Sequence, residues 1–394
     1  MDLQNLIDLH DVYRVFEVLS KHAGSSRFVG GCVRNALLNL PIDDIDIATT
    51  LRPDQVESAF SQEGIKIIDI GKDYGTIIVV INSCQYEITT LRKDVETDGR
   101  RAVVEYCDDW QEDALRRDLT INAMSYDPRE QKLYDYFGGI GDLENGMIKF
   151  VGNPEQRVQE DYLRILRFFR FYTYYGKIFD EDSLRACAQY AEKIQTISAE
   201  RKFHEFSRIL QHNNSSRTLK IMLENQVLYG LFAIKISDGT IQVLDRLKEL
   251  SKDLKHSHSY LLKFFAIIHT NNIDIDAVNE TFKFSNKDKQ YLMNIKKIVD
   301  TGITKIQQNL YEYIYEQKDL LDGLLFLKAD HETFNEAMRY SAKSLIFPIT
   351  GADIMSHFAV KEGKEVGKLL DLAKKIWFKS KYSMDKEEIL ASCK

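Results

Sequence analysis

Residues 43–47 of the 394-residue chain read Asp-Asp-Ile-Asp-Ile, a spacing that could do metal chemistry. The segment is predicted to lie in a β-strand, where side chains alternate between the two faces. Asp44 and Asp46 would then project side by side, with the isoleucines turned to the core. Two carboxylates so close repel each other unless a cation neutralises them, and oxygen ligands without a neighbouring His or Cys favour Mg²⁺. The alternative, an acidic turn before a strand, explains Asp43 well but the alternation poorly.

A second group precedes the first, where residues 29–38 read Val-Gly-Gly-Cys-Val-Arg-Asn-Ala-Leu-Leu. The pattern predicts a strand that stops at two glycines and opens into a helix. Gly30 and Gly31 would let backbone N–H groups approach a phosphate, and Arg34 could add a charged fork to the same anion. The segment suits a triphosphate, although a Gly-Gly turn before a helix is by itself more often plain loop geometry.

Glu87 lies on a later predicted strand, with Tyr86 and Ile88 turned to the opposite face. It could supply a third carboxylate to the same metal site. An exposed strand glutamate paired with Arg92 is at least as good an explanation. The sequence leaves both interpretations open.

The elements that must position these residues alternate short strands with helices up to about residue 140. Strands are predicted over 27–29, 45–48, 65–70, 76–81 and 85–91, and helices over 32–40 and 53–62. Beyond residue 142 the β signal almost vanishes, and apolar residues recur at helical spacing over 156–175, 180–194, 198–210 and 360–378. The predicted fold class is α+β, a small mixed sheet followed by an all-α part.

Composition limits the class of protein. The five cysteines include no Cys-x-x-Cys pair, which argues against a disulfide framework and a zinc site. No signal-peptide, transit-peptide or membrane-spanning pattern is present, so we expect a soluble cytoplasmic protein without a membrane or disulfide partner. The net charge is −7, but residues 201–220 hold five basic residues against one acidic residue, and residues 361–381 hold seven against three.

Four ordered motifs, spread over about 140 residues, carry a family resemblance. After the Gly-Gly turn and Asp-x-Asp come Arg-Arg-Asp-Leu-Thr-Ile-Asn-Ala at 116–123 and Glu-Asp-Tyr-Leu-Arg-Ile-Leu-Arg at 160–167; Phe-Val-Gly at 150–152 and Ala-Glu-Arg at 199–201 accompany them. The chain resembles the class II tRNA nucleotidyltransferases, the CCA-adding enzymes, closely over its first two hundred residues. The resemblance implies a nucleotidyltransferase head over 1–140, a helical neck over 141–210, a helical body over 211–310 and a tRNA-binding helical tail over 311–394.

The resemblance also implies a role for the motif at 116–123. Arg117, Asp118 and Asn122 would contact the ribose and phosphates of the incoming nucleotide. The role is chemically reasonable, since a carboxylate accepts from ribose hydroxyls and a guanidinium donates to phosphate oxygens. The alternative, which we prefer for Arg116, is i,i+4 pairing along one helix with Glu112 and Asp113.

Asp161 and Arg164 are three residues apart on a predicted helix and would share a face. Cytosine and adenine present an amine beside a ring-nitrogen acceptor, whereas uracil and guanine present a carbonyl beside an N–H donor. An aspartate accepting from the amine and an arginine donating to the ring nitrogen would admit C and A. The resemblance assigns this role to the pair, with Arg167 and Arg170 following toward the nucleotide. Glu160 could hold the Arg164 guanidinium or simply make a helix ion pair.

Three further features bear on the resemblance. The family's usual Gly-Gly-x-Val-Arg-Asp ends here in Asn35, which lacks the charge expected of a metal ligand. The polar stretch 93–101 resembles the flexible loop of enzymes that add all three nucleotides, and a mobile hairpin is its ordinary explanation. The aromatic run 168–172 is predicted to be helical core.

Together, the residues and the resemblance predict an enzyme that adds C, C and A to the 3′ end of tRNA. It would use CTP and ATP in a two-metal nucleotidyl transfer, with two Mg²⁺ ions held by Asp44 and Asp46, and release pyrophosphate. The two positively charged stretches would contact tRNA phosphates. The alternatives are a poly(A) polymerase of the same superfamily and a non-catalytic tRNA-binding protein on a decayed enzyme scaffold.

Overall fold

A computed structural model describes residues 3, 6, 11–71, 75–97 and 102–393, with the backbone alone at 69–71, 94–97 and 102–104. The chain forms two compact units, Met1–Lys235 and Ile236–Lys394. The finer division into head, neck, body and tail remains a prediction.

The first unit contains a seven-stranded mixed sheet with the strand order β3-β4-β5-β2-β1-β8-β9. Strands β2 and β5 pair in parallel, and the other neighbours in this sheet pair antiparallel. Two-stranded sheets are formed by β6 with β7 and by β10 with β11. The strands are β1 (Ser26–Val29), β2 (Ile45–Thr49), β3 (Lys66–Gly71), β4 (Thr76–Ile81), β5 (Cys84–Thr90), β6 (Arg92–Thr97), β7 (Ala102–Tyr106), β8 (Ser125–Asp127), β9 (Lys132–Tyr134), β10 (Met147–Ile148) and β11 (Ile178–Phe179).

One buried row of side chains fixes which face of the sheet carries the site. Phe28, Ile47, Ile88 and Ile77 are register partners across β1, β2, β5 and β4, and all four are buried. Because side chains alternate along a strand, the residues on either side of this row face the opposite way. The predicted alternation around Asp46 is therefore confirmed.

Helices flank the sheet and follow it along the chain of the first unit. They are α1 (Val12–Ser20), α2 (Gly31–Leu37), α3 (Pro53–Gln62), α4 (Trp110–Leu115), α5 (Gly139–Asn145), α6 (Pro154–Glu160), α7 (Leu163–Tyr175), α8 (Glu181–Gln189), α9 (Ala199–Gln211), α10 (Ser215–Glu224) and α11 (Val227–Phe232), with 3₁₀ turns at Thr120–Asn122 and Ala191–Thr196. Helix α3 begins at Pro53 as predicted, since proline suits a first helical position. The aromatic run on α7 is buried core, also as predicted.

The single helix predicted over 156–175 is wrong. Helix α6 ends at Glu160, α7 begins at Leu163, and Asp161 between them has extended backbone, with φ −156° and ψ 108°. The Asp161 carboxylate accepts a hydrogen bond of 3.0 Å from the Leu163 amide, which supports the start of the second helix. Apolar spacing continues across the break, so periodicity could not reveal it.

The first residues of the polar stretch 93–101 belong to strand β6. Strands β6 and β7 pair from Arg92 with Tyr106 to Thr97 with Ala102. Residues 98–101 between them, which belong to the predicted flexible loop, lie outside the described residues.

The described residues of the second unit form helices joined by short connections. The helices are α12 (Gly239–Asp253), α13 (Tyr260–Thr270), α14 (Ile275–Phe282), α15 (Asn286–Thr301), α16 (Ile303–Gln308), α17 (Leu310–Glu316), α18 (Leu320–Phe326), α19 (His331–Ser341), α20 (Gly351–Phe358), α21 (Lys364–Lys379) and α22 (Lys386–Ser392). Helix α13 is buried over Leu261 to Ile268 and forms its centre. Within the described ranges, no helix combines the length and the apolar character needed to cross a bilayer.

Candidate active site

The two predicted metal ligands lie at the start of strand β2. Asp46 is the second residue of the strand, whereas Asp44 precedes its first residue, so the placement of Asp44 within the strand was wrong. Both side chains nevertheless line one cavity of about 380 Å³ together with Gly31. Burial is the main cause that raises the pKa of Asp46; Arg117 opposes the rise, and the charge on Asp44 adds to it.

Glu87 stands beside Asp46, because the two are register partners in the parallel pair of β2 and β5. Partial burial raises the pKa of Glu87, and the charges on Asp46 and Asp44 raise it further. The charges on Asp44 and Asp46 therefore act on Glu87, although Glu87 is not among the residues that line the cavity. Arg92, the alternative partner, begins β6, and its amide donates to Asp113.

The donor set fits a hard divalent cation. Among the described residues, no group of three or more His, Cys, Asp and Glu side chains is arranged to hold a metal ion. Mg²⁺ does not require such a cage, because it commonly binds through one or two carboxylates together with water and substrate phosphates. Asp44 and Asp46 offer only oxygen donors, as that chemistry requires.

The Gly-Gly turn approaches the carboxylates closely. Gly30 has φ +73°, and a Cβ built there would lie 3.1 Å from Nη1 of Arg117 and 3.4 Å from Oδ2 of Asp46. Helix α2 starts at the next residue, Gly31. A glycine is needed here both for the backbone conformation and for the close approach of the two charged groups.

Arg34 belongs to a buried network that joins α2 to α7. Its Nη1 donates to the Asn122 side chain, whose Nδ2 donates to Asp118 at 3.1 Å, and Asp118 also accepts from Arg167 at 2.7 Å. Burial alone would raise the pKa of Asp118, but Arg167 and Asn122 outweigh it and hold that pKa well below the ordinary value. Burial lowers the pKa of Arg34, whose guanidinium lies 4.3 Å from the centre of the Tyr175 ring.

Asn35, the departure from the family pattern, holds Arg34 in place. Its Oδ1 accepts from Arg34 Nη2 at 2.8 Å and from the Tyr175 hydroxyl at 3.3 Å, while its Nδ2 donates to the carbonyl of Pro41. The amide can do both, since it carries a donor and an acceptor.

The adjacent arginines at the end of α4 share one buried carboxylate. Arg116 lies 2.8 Å and Arg117 3.2 Å from Asp113, so both arginines pair with it, and Arg116 does so at i,i+3 rather than with Glu112. Burial would raise the pKa of Asp113, but the two arginines bring it below its ordinary value. Arg117 also faces Asp46 across Gly30. The Arg116 guanidinium contributes its ion pair with Asp113.

The predicted base-selecting pair is held by separate partners. Because Asp161 lies outside the helix, it does not share a helical face with Arg164; its Oδ2 accepts from Arg201 at 2.6 Å. Arg164 donates to Glu160 at 2.6 Å, a contact that both explanations of Glu160 predict. The sequence interpretation missed Arg157, which shares Glu160 and donates to the carbonyls of Arg116 and Arg117. No motif marks Arg157.

Arg170 lines the cavity and is fixed from behind by buried Glu205, at 2.5 Å. The cavity continues to Tyr174, Tyr175 and Arg208. Sequence analysis did not single out the two tyrosines, whereas Arg208 belongs to the positive stretch 201–220 that was predicted to contact tRNA phosphates. Their signal was weak, because Tyr174 and Tyr175 end an aromatic run that is otherwise core.

The positive stretch 201–220 does not present five free phosphate-binding side chains. Lys202 is buried, Arg201 pairs with Asp161, and Arg217 donates to the Tyr172 hydroxyl. Arg208, Arg217 and Lys220 are exposed.

Two family models match the first unit. One is the Poly A polymerase head domain, over residues 26–149, and the other is a probable RNA and SrmB-binding site of polymerase A, over residues 178–234. The first range holds the carboxylates, the Gly-Gly turn and the motif at 116–123.

Curated relatives match nearly the whole chain. The human mitochondrial CCA tRNA nucleotidyltransferase 1 is 34% identical, over 96% of this chain and 88% of the human protein. The CCA-adding enzyme of Ligilactobacillus salivarius is 32% identical, over 96% of this chain and 95% of that protein. The chain belongs to the CCA tRNA nucleotidyltransferase family. Its class II membership follows from the motifs and the fold together.

Solved structures of the family share the fold. The Bacillus stearothermophilus CCA-adding enzyme, crystallised in complex with CTP, has a TM-score of 0.78 and 25% identity, covering 97% of this chain and 96% of that one. The Thermotoga maritima CCA-adding enzyme complexed with tRNA has a TM-score of 0.73 at 18% identity, which bears on fold alone. The predicted α+β class, with a mixed sheet followed by helices, is confirmed.

Proposed function

We propose that this enzyme adds C, C and A to the 3′ end of tRNA, without a nucleic-acid template, from CTP and ATP. The single observation that carries the proposal is the cavity in which Asp44 and Asp46 face the Gly-Gly turn. A carboxylate pair beside a turn that admits phosphates suits attack of a primer 3′-hydroxyl on the α-phosphate, with pyrophosphate leaving.

Asp44 and Asp46 would hold Mg²⁺, with Glu87 adding negative charge beside them. When bound, Mg²⁺ lowers the pKa of the primer hydroxyl and neutralises charge on the phosphates. The protein's own contribution is positioning: the backbone at Gly30 and Gly31, with Arg34 and Arg117, would hold the triphosphate.

Asp118 and Asn122 would orient the nucleotide at its ribose. Arg167, paired with Asp118, would fix this carboxylate in place, and Arg170 would line the path of the phosphates. Since a carboxylate oxygen accepts more than one hydrogen bond, Asp118 can serve both Arg167 and a ribose hydroxyl.

Asp161 and Arg164 would select the base, by accepting from the exocyclic amine and donating to the ring nitrogen. Each is anchored by an ion pair, Asp161 to Arg201 and Arg164 to Glu160. Anchoring each group by its own ion pair supports selection by a rigid protein edge, because neither group is free to turn toward uracil or guanine.

The tRNA would be held by exposed basic residues, with those of 361–381 the main candidates.

We place the enzyme in the cytoplasm on the basis of its cysteine usage, while relatives named as mitochondrial exist. All five cysteines are free thiols.

One incubation separates this function from its rivals. The enzyme is given Mg²⁺, labelled CTP and ATP, and a tRNA that lacks its terminal CCA. We expect products longer by three nucleotides, ending C-C-A. A long A tract would indicate a poly(A) polymerase, and no extension would indicate a non-catalytic tRNA-binding protein.

A further inference from the structure

The active-site cavity extends away from the groups proposed to select the base. Its lining runs from Asp44 and Asp46 to Tyr174, Arg208 and Gln211, and it does not include Asp161 or Arg164. An occupant near Tyr174 would therefore reach the carboxylates from a side other than that of the incoming base. In a transfer reaction, that occupant is the primer.

Tyr174 offers an aromatic ring at this end of the cavity. Its side chain is only partly covered, with 40% of the residue exposed. The hydroxyl donates to the carbonyl of Arg208 at 3.1 Å, and the ring centre lies 4.7 Å from that of His212. The ring is thus fixed at its tip and along one side, and it remains accessible to a ligand.

Positive charge accompanies the ring. Arg170 and Arg208 line the same cavity, Arg170 held by Glu205 and Arg208 exposed on α9. An accessible aromatic ring beside guanidinium groups matches the way proteins bind single-stranded RNA, by stacking a base and pairing its phosphate.

We propose that the Tyr174 ring stacks on the base at the 3′ end of the RNA primer, with Arg208 contacting the adjoining phosphate. The inference rests on the proposed function and names the primer subsite of that reaction. Stacking suits this position because the terminal base changes with each addition, and every base has a face on which an aromatic ring can stack.

The test measures stacking and kinetics separately. Primer tRNA carrying 2-aminopurine as its terminal base is titrated with enzyme in the absence of nucleotide, and KM values for primer and for CTP are measured. The variants are Tyr174→Ala, Tyr174→Phe, and Tyr13→Ala as a matched control, since Tyr13 is a tyrosine with 74% exposure on α1. Thermal melting checks that each variant is folded.

We expect the wild type, Tyr174→Phe and Tyr13→Ala to quench 2-aminopurine fluorescence on binding. Tyr174→Ala should lose most of the quench and raise the primer KM about tenfold, with the CTP KM changed less than about twofold. An unchanged quench in Tyr174→Ala, or a rise in the CTP KM instead, would overturn the proposal. The quench needs no incorporation, so it decides stacking even if the wild type failed to extend the primer, a result that would count against the proposed function alone.

Discussion

The carboxylates around the cavity fall into two groups by their partners. Asp113 and Asp118 are buried, and each is paired with arginine. Asp44, Asp46 and Glu87, in contrast, make no ion pair within the described ranges. Asp113 and Asp118 use their charge to hold the arginines of the site in place. Asp44, Asp46 and Glu87 leave negative charge that a cation can neutralise.

Asp118 gives a pH-dependent prediction. Its pKa is lowered on folding, so its stabilising effect is present above the ordinary aspartate pKa of about 4 and declines as pH falls through the lower folded value. We expect Asp118→Asn to reduce the free energy of unfolding by about 2 kcal/mol at pH 7. The difference from wild type should shrink as the pH drops below about 4.

Urea unfolding of both proteins between pH 7 and pH 3.5 measures this difference. Asp182→Asn is a suitable control, because Asp182 pairs with Arg185 but both side chains are 70% exposed. A gap that widens on acidification would contradict the assigned role of Asp118.

Asp161 gives a prediction about base choice. We expect Asp161→Ala to relax the preference for CTP over UTP by about 10–100-fold, the equivalent of removing one polar interaction of about 1–3 kcal/mol. Incorporation of CMP itself should fall less. The measurement compares kcat/KM for CTP and UTP in the variant and in Asp182→Ala, and an unchanged ratio in Asp161→Ala would refute selection by this carboxylate.

At the scale of elements, the Gly-Gly turn is the connection that most constrains the site. We expect Gly30→Ala to lower incorporation at least about a hundredfold, because a Cβ there would press on Arg117 and Asp46 and φ +73° disfavours alanine. Gly64→Ala is the matched control: Gly64 has φ +67° but does not line the cavity, and a Cβ built there would meet nothing within 4 Å. Single-turnover rates that fall equally in both variants would contradict this explanation.

The alternation of apolar and polar residues predicted the strands that carry the carboxylates, and Pro53 predicted the start of helix α3. The row from Phe28 to Ile77 is apolar, so the strands of the central sheet were visible in the sequence. The break at Asp161 was not, because the capping hydrogen bond to Leu163 leaves the apolar spacing intact. Strands β8 to β11 were also missed, since two or three residues are too few to show a period.

Spacing along the chain predicted which residues form the site, but it did not predict the charged side chains that hold those residues in place. Asp44, Asp46 and the Gly-Gly turn lie within about 20 residues and meet as expected. Arg157 and Glu205 act through contacts with residues that are close in space, and no local pattern distinguishes them from ordinary helix charges. Arg201 belongs to the Ala-Glu-Arg motif, but the motif does not reveal its partner Asp161. The positive stretch 201–220 is only partly available to a phosphate, since Lys202 is buried and Arg201 pairs with Asp161, whereas Arg208, Arg217 and Lys220 are exposed.

At the scale of the whole molecule, a net charge of −7 must be reconciled with an RNA substrate. Helix α21 supplies a face of net positive charge, because exposed lysines recur at helical spacing, at Lys364, Lys368, Lys375 and Lys379, and exposed Asp371 is the acidic residue among them. Local charge of this kind binds a polyanion even when the overall sum is negative.

We expect Lys364→Gln, Lys368→Gln and Lys375→Gln together to weaken tRNA binding and make it less dependent on salt. The slope of log affinity against log salt should fall by about 2–3, or about 0.7–0.9 for each phosphate that a lysine no longer neutralises. The control neutralises three exposed lysines of α15, Lys287, Lys296 and Lys297, which changes the net charge equally. Filter binding over a salt series measures both, and equal effects would contradict a dedicated α21 surface.

The most direct measurement of the central claim is the single-turnover rate of CMP incorporation by Asp46→Asn, together with its affinity for tRNA. Asp43→Asn, which removes a neighbouring exposed carboxylate, serves as the control. If Asp46 is a metal ligand at the reaction centre, Asp46→Asn should lose about a thousandfold or more in rate, with a tRNA dissociation constant within about twofold of wild type. The control should stay within about threefold in both. An Asp46→Asn enzyme that incorporates CMP at a near-wild-type rate, or that loses rate and tRNA affinity in parallel, would contradict the claim.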